Sequence, residues 1–437
     1  MQADKTTITD LSLFHHDEEQ SVFHHLNFTR TNGGREWWRQ MLSNPLHDIN
    51  AIQERQQTIQ VIGKHLQDWP ETITNGNIMV MEKYYDTVLE RIPQKPDAMS
   101  AFFFRLFNAP DYSIIKYTVE QAIDFIKGMQ QLYVLLKDDK LPASLRAKLE
   151  RIAMLLNKPF LQQLRQESKT ALPLVKVLYY GHYLRYQFKN DAFELIDIFS
   201  QLDAWYSMAK ATAECKLVFP EFEQATTPHL KADGLFHLLL HTPVSYDVDL
   251  QHAQNFCFLT GANMAGKSTF IKAVGVAVYL AHIGMAVPAA HCKLSLFDGL
   301  LSNIQVVDNI IKGESYFFNE VQRIKNTIEK INDGKKWLIL IDELFKGTNV
   351  QDAMKCSTSV VEGLRKMNNA LFILSTHLYE IGDGLRQYPN IQFRYFETHV
   401  QDDQLIFSYQ LKEGISNDRL GYLILKKEGV VNMLEKL

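Results

Sequence analysis

Phe258-Leu259-Thr260-Gly261-Ala262-Asn263-Met264-Ala265-Gly266-Lys267-Ser268-Thr269 is the stretch whose reading decides the fold. It fits G-x-x-x-x-G-K-[ST], with an apolar run before it (residues 256–259) and a helix-like run after it (residues 270–280). Strand, glycine loop and helix in that order are what a phosphate-binding loop requires. Gly261 and Gly266 allow the tight backbone path along which several N–H groups converge on an anion. The helix then opens with the positive end of its dipole toward the same point. In such a loop Lys267 is expected to reach the β- and γ-phosphates and the Ser268 hydroxyl to hold Mg²⁺.

Two further runs belong with it. Trp337-Leu338-Ile339-Leu340-Ile341-Asp342-Glu343 is continuously apolar until it ends in two carboxylates, the pattern of a buried parallel strand. Asp342 suits water-mediated Mg²⁺ coordination, as in a Walker B strand, and Glu343 is placed to orient or deprotonate an attacking water. Without the glycine loop upstream, the two acids would read as no more than the opening of the loop over residues 344–349. Ala370-Leu371-Phe372-Ile373-Leu374-Ser375-Thr376-His377 ends in a polar cap. His377 is there a candidate γ-phosphate sensor, donating a hydrogen bond from imidazole at neutral pH.

At 437 residues the chain is more than one domain by length. Its formal net charge of −4 offers no global basic footprint of the kind that coats DNA nonspecifically. The four cysteines (Cys215, Cys257, Cys292, Cys356) include no Cys-x-x-Cys pair, which argues against zinc and disulfides and fits a reducing cytoplasm. Residues 1–10 lack the apolar core of a secretion signal. The apolar run over residues 273–290 is interrupted by His282, Gly284 and Pro288, so no membrane span is expected.

Residues 11–215 carry mostly helical spacing, with proline-marked breaks near residues 91–96, 108–111, 141–142 and 172–173. Phe102, Phe103, Phe104 and Phe107 read as helix packing. His15-His16 and His24-His25 have no convergent carboxylates or cysteines and do not indicate a metal. Between Lys140 and Lys189 ten Lys/Arg stand against two acids, Glu150 and Glu167, with Tyr179, Tyr180, Tyr183, Tyr186 and Phe188 near the end. As a face for nucleic-acid phosphates, this run would offer Lys158, Arg165 and Lys169 as contacts beside stacking rings. More usually such a run is a solvated helix face. Residues 219–228 read as a linker. From there to about residue 400 strands and helices alternate in the α/β pattern, and residues 393–409 read as a hairpin turning at Gln401-Asp402-Asp403. The expected organisation is mixed: an all-α helical domain over residues 1–215, then an α/β domain over residues 216–437.

These residues together resemble the MutS family, the DNA mismatch-repair ATPases of the ABC class. Residues 260–269 look like that family's T-G-P-N-M-G-G-K-S-T, with alanine at two places. The Asn263-Met264 pair is the informative part, since phosphate loops in general do not need it. Ile283-Gly284-Met285-Ala286-Val287-Pro288-Ala289 is similar to its G-x-x-V-P-A segment. Gly313-Glu314-Ser315-Tyr316-Phe317-Phe318-Asn319-Glu320 resembles its signature helix, S-T-F-M-V-E. Asp342-Glu343-Leu344-Phe345-Lys346-Gly347-Thr348-Asn349 looks like D-E-I-G-R-G-T-S, and Ser375-Thr376-His377 like A-T-H. Upstream, Leu202 to Ala209 resembles the end of the family's helical lever domain.

The resemblance implies a helical lever domain followed by an ABC-type P-loop ATPase, using ATP and Mg²⁺ and forming a homodimer through its ATP sites. Each nucleotide would be held by one copy's residues 261–269 and the other copy's Ser315. DNA, branched or structured, is the expected partner. Some features depart from the family. The mismatch-wedge motif G-x-F-Y-E is absent, so no mismatch-reading domain is expected before the lever. The middle region looks short for an inserted clamp. Neither a C-terminal dimerisation helix-turn-helix nor an Smr-type nuclease tail is expected. Tyr246 stands where the family usually has Asn, which leaves the adenine pocket open. The alternative expectation is a nucleotide-dependent switch acting on another protein without touching DNA. A transporter ATPase is disfavoured because no Leu-Ser-Gly-Gly-Gln is present, and an SMC-type arm because only 75 residues separate Lys267 from Asp342.

Overall fold

Apolar runs of five or six residues bury completely only when both faces of a strand are covered, and the computed structural model places them in the middle of a sheet. The structure describes residues 1–304, 316–401, 404–416, 430 and 433. They fall into two compact units, one of Met1–His25, Asn44–Gln53 and Glu214–Leu437, the other of Leu26–Ser43 and Glu54–Ala213.

In chain order the strands of the first unit are β1 (Gln2–Ala3), β2 (Glu221–Glu223), β3 (Leu230–Leu235), β4 (Tyr246–Leu250), β5 (Phe256–Thr260) and β6 (His291–Ser295). They continue with β7 (Gly299–Asn303), β8 (Trp337–Asp342), β9 (Ala370–Ser375), β10 (Ile391–Gln401) and β11 (Gln404–Glu413). A seven-stranded sheet runs β1-β7-β8-β9-β5-β10-β11, and a four-stranded sheet runs β2-β6-β3-β4. The larger sheet is parallel as far as β10, and β11 returns antiparallel as the expected hairpin. The hairpin's expected turn residues Asp402 and Asp403 lie outside the described residues. Trp337, Phe256, Phe258 and Phe372 form the core on this sheet, each fully buried and each stabilising by about 1.5–3 kcal/mol.

A single division near residue 215 does not describe this packing. The first 25 residues join the sheet-bearing unit because β1 adds to the edge of β7. The short helix Lys5–Asp10 then stitches itself to that strand. Thr7 Oγ1 accepts from Ser302 N–H at 3.0 Å, and Asp10 Oδ2 accepts from Ser302 Oγ at 2.6 Å and Ile304 N–H at 2.9 Å. These contacts link residues almost 300 positions apart, so no local pattern announces them.

The second unit is all helical among its described residues. The helices Asn75–Asp86, Ala98–Phe107, Ala109–Leu136, Ala143–Leu156, Pro159–Gln166, Leu174–Tyr186 and Lys189–Glu214 are separated at the four expected proline-marked breaks and at two further ones, over residues 157–158 and 187–188. Capping boxes at Thr74 with Asn77 and at Asp97 with Ser100 start two of them. Buried Asp203 accepts from Arg30 N–H (3.0 Å), Thr31 N–H (2.9 Å) and Thr31 Oγ1 (2.7 Å), closing the first helices onto the last. The phenylalanine group departs from its expected role. Phe104 packs inward, but Phe102, Phe103 and Phe107 are exposed, because only one side of the helix Ala98–Phe107 meets the unit. No helix among the described residues is long and apolar enough to cross a membrane.

Candidate nucleotide-binding site

Sheet register builds the site. Ser375 stands beside Leu259 on β5 and beside Asp342 on β8, so the carboxyl ends of three central strands of the parallel sheet lie together. The loop over residues 261–266 leaves β5 there and enters the helix Lys267–His282. Gly261 and Gly266 take φ of 143° and 109°, values that side-chain-bearing residues rarely adopt. At Gly261 a Cβ would also approach Phe396 to 3.3 Å. Met264 holds φ of 67° despite its side chain, which is exposed. Ala265 does not take a positive φ and is buried, so its methyl group stands without backbone strain where the family pattern has glycine.

Lys267 is buried, and its Nζ donates to the carbonyls of Gly261 at 2.9 Å and Ala262 at 3.0 Å. Burial pulls its pKa below the usual lysine range, opposed by the Glu343 and Asp342 carboxylates. Ser268 Oγ donates to Asp342 Oδ2 and Ser375 Oγ to Asp342 Oδ1, so hydroxyls engage both oxygens of this carboxylate. Glu343 sits in the left-handed region at φ 60°, its N–H donating to the Ser375 carbonyl at 2.9 Å. Its Oε1 is 2.6 Å from His377 Nε2 and its Oε2 2.8 Å from Lys346 Nζ. Burial pushes the Glu343 carboxyl up, but the hydrogen bonds and charges of His377 and Lys346 outweigh it and hold the pKa at about 2. At neutral pH this group is therefore a fully ionised acceptor and a weak base. Two of its roughly four lone-pair positions are taken, which leaves room to orient a water.

The turn after β8 has its own support. Glu320, buried on the helix Tyr316–Ile331, accepts from Lys346 N–H at 3.2 Å and Gly347 N–H at 3.3 Å. Burial raises its pKa against the lowering effect of those bonds. Phe345 takes φ of 60° where the resembling D-E-I-G-R-G-T-S pattern carries glycine. That conformation costs a non-glycine residue about 1–2 kcal/mol, offset here by a buried ring 5.7 Å from Phe317.

A cavity of about 460 Å³ adjoins the loop, within the usual range for small-molecule sites. Its walls include Asn263, Met264, Lys267, Ser268, Thr269 and Glu343, together with Leu240, Val244, Tyr246 and Tyr409. The expected loop residues, Asp342, Glu343 and His377 are thus brought together. Ser315 lies outside the described residues, as do Gly313 and Glu314. Lys158, Arg165 and Lys169 belong to the helical unit and are partnered within it. Lys158 pairs with Asp191, Arg165 donates to Gln130, and Lys169 Nζ lies 2.7 Å from Asp124. Tyr180 is buried and Tyr183 stacks on Phe160, so these rings serve packing. Sequence reasoning gave no role to Ser375, Lys346, Glu320 or Tyr409. The polar end of β9 was a usable signal for Ser375; the others needed the tertiary structure.

Hard oxygen donors at Ser268 and Asp342 fit Mg²⁺, and a buried lysine among loop amides fits a phosphate chain. The fold and site thus define an α/β protein with a glycine loop at the carboxyl ends of the central strands of a parallel sheet. The family model for MutS domain III matches residues 6–305 and that for MutS domain V matches residues 257–434, and the chain belongs to the MutS family. It is 28% identical over 285 residues to the DNA mismatch repair protein MutS of Oceanobacillus iheyensis, covering 62% of this chain and 30% of that one. Human MutS protein homolog 4 is 29% identical over 245 residues, covering 54% of this chain and 25% of that protein. The chain thus spans less than a third of the length of these relatives.

Proposed function

We propose that this chain binds and hydrolyses ATP with Mg²⁺, as an ABC-type ATPase of MutS kind whose ATP sites are completed at a homodimer interface, and that it serves DNA repair. The observation that carries the reading is the convergence of Ser268, Asp342 and Glu343 on the glycine loop through the register of β5, β8 and β9. Residues 261–269 would cradle the phosphates with their amides, and Lys267 would turn from the loop carbonyls to the phosphate oxygens. Ser268 and Asp342 would hold Mg²⁺, which when bound neutralises charge on the phosphate oxygens. Glu343, held ionised, orients the attacking water, and His377 fixes the carboxylate's direction and reaches toward the γ-phosphate. Ser315 of a second copy is the expected contact in trans. A helical lever domain over residues 1–215 and an ATPase domain over residues 216–437 are part of this reading.

The Glu343→Gln variant should retain ATP binding, lose roughly two orders of magnitude or more in turnover, and accumulate dimer. Single-turnover hydrolysis with parallel sedimentation measures all three; normal turnover would remove Glu343 from its role. A second reading, a nucleotide-dependent switch acting on another protein without direct DNA contact, is favoured by one observation. Arg151, Lys158, Lys169 and Lys176 of the basic run are already paired with acids inside the helical unit.

A further inference from the structure

The helix Ala98–Phe107 is anchored from one side only. Ala101 and Phe104 turn inward, while Met99, Phe102, Phe103, Leu106 and Phe107 are 70%, 55%, 47%, 59% and 75% exposed among the described residues. Their spacing of three, four and seven residues puts them on one continuous face. Ile114 and Tyr117 of the next helix, Ala109–Leu136, are also exposed. The rings are already ordered: Phe103 and Phe107 stack at 6.0 Å and 10°, and Phe102 meets Phe103 edge-on at 5.9 Å.

We propose that this face is a self-association surface, covered by the same face of a second copy of this chain. The first argument is area. With 150–250 Å² for a whole aromatic side chain, these seven side chains present roughly 700 Å², more than the apolar patch a monomer usually leaves bare. A standard interface takes roughly 600–1,000 Å² from each partner, a range in which one copy of the face falls. The second argument is charge. The one cation on the helix, Arg105, lies over the Tyr112 ring at 5.6 Å, and Asp97 is bound to Ser100 in the capping box. No charge is left on the face to select a partner of opposite sign. The flanking charges Lys95, Asp97, Asp111 and Lys116 are of mixed sign, unlike the basic border of a membrane-surface helix. An uncharged, ring-ordered face is its own complement across a twofold axis, where each contact is made twice.

The test is sedimentation velocity of the full chain over a range of concentrations, with neither nucleotide nor Mg²⁺, so that the ATP-site reading plays no part and its failure is separable. The wild-type chain should dimerise, and the double variant Phe103→Glu, Phe107→Glu should weaken the dimer by roughly tenfold or more with helicity and melting temperature unchanged. Should that variant misfold, Phe107→Cys gives an independent readout, since oxidation should cross-link it to its counterpart in the second copy. A wild-type chain monomeric throughout, an unchanged dimer in a folded double variant, or no cross-link through Phe107→Cys would overturn the proposal. So would association with anionic or neutral lipid vesicles in place of dimerisation.

Discussion

His282 carries more of the fold than its place at the end of an apolar helix suggests. Phe297 N–H donates to its Nε2 at 3.0 Å, so Nδ1 carries the proton and donates to the Val278 carbonyl at 2.9 Å. Burial brings its pKa down to about 4, while the unfolded chain titrates near 6.5. Between those values the unfolded state binds more protons, so stability falls as pH drops from about 6.5 to about 4. The total loss is on the order of 3 kcal/mol from this ring alone. Denaturation across that window, compared with His282→Phe, should show this part of the slope disappear. The variant should also be less stable at pH 7 by about 1–3 kcal/mol, because Phe297 N–H loses its acceptor. Glu343 acts further down the same acid side. Its depressed pKa supplies stability above about 4.5 that is lost only as pH falls toward about 2.

Among the elements, the turn after β8 makes its hydrogen bonds through residues distant in sequence. Glu320, from the preceding helix, satisfies two of the turn's amides, and the turn in turn presents Lys346 to Glu343. Glu320 is a positioning residue, since it touches none of the groups proposed to meet substrate. The Glu320→Ala variant should lose about 1–3 kcal/mol of stability and lower kcat far more than ATP affinity, with Glu320→Gln recovering part of the loss. Equal effects on kcat and KM, or no recovery, would assign Glu320 to packing alone. Parallel strands β5, β8 and β9 were legible because burial on both faces demands uninterrupted apolar runs. The turn's supports were not, because an acid on one helix and an amide 26 residues later share no local pattern.

At the scale of the whole molecule, the two readings of function differ in whether the helical unit contacts DNA. Charge reversal at Lys158, Arg165 and Lys169 is expected to leave duplex and branched DNA affinity and its salt dependence unchanged. Lys158 and Lys169 are ion-paired with Asp191 and Asp124, and Arg165 donates to the neutral amide of Gln130. Fluorescence anisotropy against salt checks this, and a slope reduced by about one per residue would place them on phosphates after all. ATPase rates measured with and without each DNA form then separate a DNA-acting ATPase from a switch acting on another protein. By itself the sequence determined the glycine loop, the acids and polar ends of its neighbouring strands, and the helical character of the region before it. These depend on periodicity and on local backbone freedom. Only the tertiary structure decided that the first residues complete the sheet, that Lys158 and Lys169 of the basic run are ion-paired within their own unit, that Glu343 is clamped by Lys346 and His377, and that three phenylalanines face outward. Each of these depends on which distant side chain arrives opposite, and burial and charge pairing are settled by that meeting rather than by sequence spacing.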